Sequence, residues 1–138
     1  MSAPSAMNLQ PWNFILVTER TILNQLAEGL PYAQMLLQAG AAIVVCGTPD
    51  INDLELSDYW IQDCSAASEN ILLAVECLKL GAVWTGVYPR KNRIEHVKKV
   101  LKIPPVYIPL NVIAIGHPLH AELPKNKYDP EKIHWEKW

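Results

Sequence analysis

The stretch from Asp58 to Leu80 constrains the fold more than any other, because its apolar spacing suits only a long helix. Ile61, Cys64, Ser68, Ile71, Val75 and Leu78 recur three or four residues apart and so share one helix face. Ala66, Leu72, Leu73 and Ala74 carry apolar character round the opposite side. A helix apolar nearly all round is a central one, covered by other elements of its chain or by a second subunit. Ser57 or Asp58 is placed to cap its start, and Gly81 stands where a left-handed C-terminal residue belongs.

Shorter elements flank this helix. Phe14 to Thr18 is a β-branched run after the Pro11-Trp12 turn and reads as a strand. Thr21 to Gly29 carries Ile22, Leu23 and Leu26 ahead of a closing glycine and predicts a short helix, and Pro31 opens a second one through Met35 and Leu37 toward Ala39. Ala41 to Cys46 is apolar without alternation, the pattern of a strand covered on both faces. Thr48 to Leu56 reads as a surface loop. Ala82 to Thr85 is a brief strand leading into Gly86-Val-Tyr-Pro89. Lys91 to Leu101 is an amphipathic helix with Ile94, Val97 and Leu101 inward, and Leu110 to Ile115 is a last core strand ended by Gly116. From His117 to Trp138 the chain is polar, proline-dotted and aromatic, without a core pattern. Alternating helices and strands predict an α/β fold with helices on both faces of a sheet, as one domain over 1–138.

Composition narrows the function. The chain has 138 residues, half of them hydrophobic, and a net charge of -2, with no basic stripe for nucleic acid. Several of its eleven prolines, Pro104, Pro105, Pro109, Pro118 and Pro124 among them, cluster in the last third and favour extended connections there. Cys46, Cys64 and Cys77 sit in apolar stretches, are odd in number and read as buried thiols of a reducing compartment. Met1-Ser-Ala-Pro has neither the basic nor the apolar region of a secretory signal, so a cytoplasmic location is expected. His117 and His120 lie close together in a proline-flanked loop, His96 on a basic helix face and His134 in the tail. No cysteine pair has zinc spacing, so solvated histidines are expected and no metal site. Ser5, Ser65 and Ser68 lack the Gly-x-Ser-x-Gly elbow of a hydrolase, and neither Gly-x-Gly-x-x-Gly nor a Walker loop is present.

What remains is the segment from Pro4 to Trp12. Pro4-Ser5 and Gln10-Pro11 restrain its backbone, while Ser5, Asn8 and Gln10 set donors and acceptors along one loop, enough to grip a polar planar ring. A capped turn accounts for the same residues equally well. The pattern Pro4-Ser5-x-x-Asn8-x-Gln10-Pro11-Trp12 resembles the first flavin-contacting loop of the FMN-dependent nitroreductase family. Three further blocks follow in that family's order. Asp63 to Asn70 resembles its central helix along the dimer interface, Leu80 to Pro89 the strand and loop against the isoalloxazine, and Pro124-Lys-Asn-Lys127 the basic pair that meets the FMN phosphate.

The resemblance implies a three-layer α/β/α sandwich with a mixed, mostly antiparallel sheet, assembled as a homodimer with FMN at the subunit interface. It implies an NAD(P)H-dependent oxidoreductase reducing a nitroaromatic, quinone or similar acceptor by a ping-pong mechanism, with no catalytic side chain. Pro4, Ser5, Ala6, Asn8 and Gln10 would line the flavin from one subunit. Thr85, Gly86 and Val87 would bind the flavin, the backbone around Gly86 and Val87 supplying N–H donors to its N5 and O4 edge, and Lys125 and Lys127 would hold the phosphate, the tail 117–138 reaching to the partner. The family's opening helix with an Arg-x-Ser-x-Arg-like motif has no counterpart here, and Met35 falls where some relatives place a lysine. That departure carries an alternative, a short family member that keeps the dimer fold without productive flavin binding.

Overall fold

The computed structural model describes residues 1–49, 57–120 and 125–138, so most of the expected loop over 48–56, and Pro124, lie outside the described residues. Four strands, β1 (Trp12–Val17), β2 (Ala41–Gly47), β3 (Gly81–Gly86) and β4 (Ile108–Gly116), form one sheet in the order β1-β2-β4-β3. All three pairings are antiparallel, with Trp12 opposite Gly47, Ala41 opposite Ile115 and Gly81 opposite Gly116. The helices are α1 (Arg20–Glu28), α2 (Tyr59–Cys77) and α3 (Lys91–Leu101).

Alternate residues of the two central strands serve opposite faces, as strand geometry requires. Val44, Cys46, Val112 and Ala114 pack with Leu23, Leu26 and Ala27 of α1 and Val97 of α3. Val45 and Ile113 pack with Trp60, Cys64 and Ala67 of α2, together with Ala3 and Trp12. The sheet is thus covered on both faces, which is why β2 is apolar without alternation. His96, expected in solvent, instead lies half-buried between helices, where its Nε2–H donates to the Gln25 carbonyl at 2.8 Å.

Several elements differ from expectation for physical reasons. The second short helix is only a 3-10 turn over Gln34–Leu37. So short a segment cannot repay helix nucleation, and the Arg20 guanidinium takes the carbonyls of Leu36 and Ala39 instead. Strand β4 begins before Pro109, because the register jumps from Val45–Asn111 to Cys46–Pro109 and leaves Leu110 as the extra residue of a bulge. A bulge tolerates a residue with no N–H to donate. Cys46 and Cys64 are buried, but Cys77 is exposed in the last turn of α2. Leu78, expected on the inner face, lies just past the helix and is 70% exposed.

The end of α2 also departs from the glycine rule. Gly81 opens β3, and Lys79 takes the left-handed position with φ 58°. Lys79 N–H bonds the Glu76 carbonyl and Leu80 N–H the Val75 carbonyl, the paired closure of a helix C-terminus. Gly47 is used for a close approach instead, since a Cβ there would overlap Cε3 of Trp60 and lie 2.9 Å from the Cys64 sulfur. Two substitutions should therefore act in opposite directions. Lys79→Gly is expected to raise unfolding stability by about 1 kcal/mol by relieving the left-handed strain. Gly47→Ala is expected to lower it by about 1–3 kcal/mol through overpacking. Urea titrations of both variants check the pair.

Candidate functional site

Both ends of the loop before β1 are held in the core, where Ala3 and Trp12 join the cluster around Trp60, Cys64 and Leu110. Between them Pro4, Asn8 and Gln10 are exposed, and Ser5 and Ala6 are half-buried. A 3-10 turn over Ala6–Asn8 closes with Asn8 N–H on the Ser5 carbonyl at 3.1 Å and Leu9 N–H on the Ala6 carbonyl at 3.0 Å. Ser5 Oγ accepts the Gln10 N–H at 3.0 Å, so its lone pairs shape the loop while its O–H is still a donor. Met7, Asn8 and Gln10 all have left-handed backbones, with φ of 49°, 57° and 50°. Such clustering of strained non-glycine residues occurs where a surface must present groups in one fixed arrangement.

The loop is tied to α2 by Asp63, a carboxylate only 6% exposed whose Oδ1 accepts the Ala6 N–H at 3.0 Å. One turn further along α2, Ser68 donates to the Cys64 carbonyl and accepts from Asn111 Nδ2, each at 2.8 Å. Asn111 Oδ1 is buried with no partner among the described residues. Sequence reasoning gave none of Asp63, Asn111 or Arg93 a role. A carboxylate on the apolar face of α2 and an amide amid an apolar strand were usable signals for the first two, whereas nothing local marks Arg93.

The second expected wall is the end of β3. Thr85 and Val87 are buried, and Gly86 is half-buried. The Val87 N–H, expected to face a ring, is committed at 2.9 Å to the Leu110 carbonyl, which also accepts from Tyr88 N–H. The bulge at Leu110 frees that carbonyl to take both. Antiparallel alternation then turns the Gly86 N–H and C=O away from β4, toward the outer side of β3. The Gly86 carbonyl accepts Arg93 Nη1 at 2.8 Å, and a Cβ built on Gly86 would meet no atom within 4 Å. Gly86 thus leaves open space where a side chain would stand and turns its N–H to the outer side of β3.

The two walls do not converge within one chain. Both lie at the same end of the sheet, but β1 and β3 are its opposite edges, about 14 Å apart at three strand spacings. An open cavity of about 490 Å³ is lined by Met1, Trp12, Asn13, Phe14, Leu16, Ile43 and Ile71, and another of about 230 Å³ includes Cys46, Ile103 and Tyr107. Neither is lined by an expected flavin contact. Lys125 and Lys127 are exposed, in a tail where Asp129 alone among the described residues is half-buried, and Met35 is exposed too. Burial pushes the Cys46 thiol up to about 11, and burial with the adjacent Asp63 charge pushes Cys64 up to about 12. Neither serves as a thiolate nucleophile at neutral pH. Among the described residues no three His, Cys, Asp or Glu side chains gather as a metal site, and no helix is long and apolar enough to cross a membrane.

Removing the Asp63 acceptor should free the strained loop. Asp63→Ala is expected to cost about 1.5–3 kcal/mol and Asp63→Asn, which keeps an oxygen there, less. Hydrogen exchange should show the Ala6 amide losing protection in Asp63→Ala ahead of the β2 and β4 amides.

Residues 20–117 match the sequence profile of the nitroreductase family. A protein of Archaeoglobus fulgidus, provisionally named NADH dehydrogenase/NAD(P)H nitroreductase, is 45% identical over 141 residues, covering all of this chain and 80% of that protein. A crystal structure of a protein so named from Parabacteroides distasonis superposes with a TM-score of 0.91 at 51% identity, covering all of this chain and 80% of the other. An FMN-dependent nitroreductase from Clostridium difficile superposes with a TM-score of 0.88 at 29% identity, covering 99% of this chain and 82% of the other. The loop before β1, the buried anchor on α2 and the bare end of β3 thus lie in a chain whose sequence and fold are matched along essentially all of its own length by these proteins, and the chain belongs to the nitroreductase family of oxidoreductases.

Proposed function

We propose that this chain works as a homodimer that binds FMN between its subunits and passes reducing equivalents from NAD(P)H to a nitroaromatic, quinone or similar acceptor in a ping-pong cycle. The observation that carries this reading is Gly86, whose bare backbone leaves open space where a side chain would stand and whose N–H turns toward the outer side of the edge strand β3. A flat ring with heteroatoms along its edge can approach such a backbone more closely than it can any side chain. The flavin, when bound, supplies the redox chemistry, and the protein's part is to bind, orient and exclude water.

In this reading Pro4, Ser5, Ala6, Asn8 and Gln10 of one protomer cover the ring, while Thr85, Gly86 and Val87 of the other hold its edge. Within that second group Gly86 donates, and Thr85 and Val87, both buried, keep it in place. Two-fold symmetry accounts for the separation of the walls, because an isologous dimer brings one edge of each subunit against the other edge of its partner. Lys125 and Lys127 would hold the phosphate as point charges. Exposed apolar side chains on Leu16, Leu73, Leu78, Val83 and Trp84 supply contact area for the dimer. The tail over 117–138, with Trp135 87% exposed, extends to the partner in the same arrangement. The Clostridium difficile relative, named as FMN-dependent, supports the choice of cofactor, and the three free thiols suit a cytoplasmic setting.

Titration of the purified protein with FMN, followed by flavin fluorescence and the visible spectrum, checks the reading. The expected outcome is stoichiometric yellow protein, bleached by NAD(P)H without an acceptor and recoloured by a quinone. Gly86→Ala should weaken FMN binding about tenfold or more, equal to about 1.4 kcal/mol. Its melting temperature should hold, because the added methyl meets no protein atom. A protein that stays colourless in excess FMN overturns the proposal.

A further inference from the structure

Arg93 lies in the first turn of α3 and reaches back past the Tyr88–Pro89 turn to the end of β3, where Nη1 donates to the Gly86 carbonyl at 2.8 Å. Its guanidinium lies over the ring of Tyr32, 5.6 Å from the centroid. The same peptide group is held on its other side, where Val87 N–H donates to the Leu110 carbonyl at 2.9 Å. One peptide plane is therefore clamped from two directions. Thr85, the residue before Gly86, is fixed in the ladder opposite Val112. Glycine has the freest torsions of any residue, and here both are set by what is bonded to its neighbours and to its own carbonyl. Without Arg93 the Gly86–Val87 peptide is held only through the Val87 N–H, and the Gly86 torsions that join it to the plane carrying the Gly86 N–H are less restrained.

We propose that Arg93 is a positioning residue of the flavin site, which holds Gly86 through its carbonyl so that the Gly86 N–H is preset toward the bound ring. The assignment rests on the flavin reading of the Gly86 edge given above. Arg93 acts through Gly86 and needs no contact with the cofactor. Its geometry requires arginine, because one nitrogen must reach the carbonyl while the plane lies over Tyr32, a combination that an ammonium group cannot reproduce. A fixed positive charge bonded to this peptide also favours the more negative, reduced form of a bound flavin. Arg90 and Lys91, close in sequence, are exposed and make no ion pair with any described residue. They therefore provide a control for charge alone.

The test compares Arg93→Met, Arg93→Lys and Lys91→Met with the unsubstituted protein by FMN dissociation constant, midpoint potential of the bound flavin and melting temperature. Arg93→Met is expected to raise the FMN dissociation constant about tenfold and to make the midpoint potential more negative. Arg93→Lys should fall between, and Lys91→Met should change neither quantity. Should Arg93→Met fail to fold, Tyr32→Leu, which removes only the ring beneath the guanidinium, is expected to shift both quantities in the same direction and by less. An Arg93→Met protein with affinity and potential both unchanged overturns the role of Arg93 while leaving the flavin reading intact. Loss of melting temperature with both flavin quantities unchanged shows a purely structural arginine and also overturns it. Failure of the unsubstituted protein to bind FMN overturns the flavin reading and this role with it.

Discussion

The ring of Trp60 rests against the bare backbone of Gly47, and the placement of α2 on the sheet follows from that contact. The first turn of the helix is thereby seated over the last residue of β2, with Cys64 one turn further on beside the same glycine. Trp60 also meets Tyr88 edge to face at a centroid distance of 5.1 Å, a pairing that adds about 0.5–1.5 kcal/mol beyond burial. Ala3 and Trp12 fill the remaining side of the cluster. One aromatic side chain thus gathers the start of β1, the end of β2 and the turn after β3. The polar contacts come after this packing in the chain of causes: Asp63 meets the Ala6 N–H, and Ser68 meets Asn111, only because Trp60 has fixed the height and rotation of α2.

This arrangement makes the two faces of the sheet unequal in purpose. The side under α1 and α3 is closed by Leu23, Leu26 and Val97, all fully buried, and does structural work. The side under α2 carries a buried carboxylate, hydroxyl and amide among its apolar residues. Buried polar groups cost free energy unless bonded, and here each holds a backbone segment or the helix itself in place. The strained loop over 4–10 and the bare end of β3 both border this side, at opposite edges of the sheet. On the proposed reading a single chain therefore presents two half-sites, which a two-fold partner completes.

Much of the fold was legible locally because burial and periodicity are local signals. The spacing of Ile61, Cys64, Ser68 and Val75 marked α2, the unbroken Ala41–Cys46 run marked a doubly covered strand, and Lys91–Leu101 was bounded to the residue. Most departures from the local reading come from competition by a distant partner. Arg20 takes the carbonyls that a second short helix would need, and the bulge at Leu110 admits Pro109 into a strand. His96 finds the Gln25 carbonyl, and Lys79 adopts a conformation that glycine would take at lower cost. In the site, the pattern from Pro4 to Trp12 was legible as a motif, but the spending of the Val87 N–H on Leu110 was not. Which of two adjacent amides faces outward depends on strand register, and no residue type encodes that.

The amino-acid sequence by itself determined the elements and the family, since apolar spacing sets helix and strand faces and the ordered blocks from Pro4 to Lys127 carry the resemblance. Only the tertiary structure decided that the two walls stand on opposite edges of an antiparallel sheet, and that Gly86 rather than Val87 turns its N–H outward. Only there did Asp63 and Arg93 acquire work to do. The reason is that a hydrogen bond between residues 63 and 6, or the choice of sheet edge, is fixed by packing across the whole domain and leaves no periodic trace along the chain.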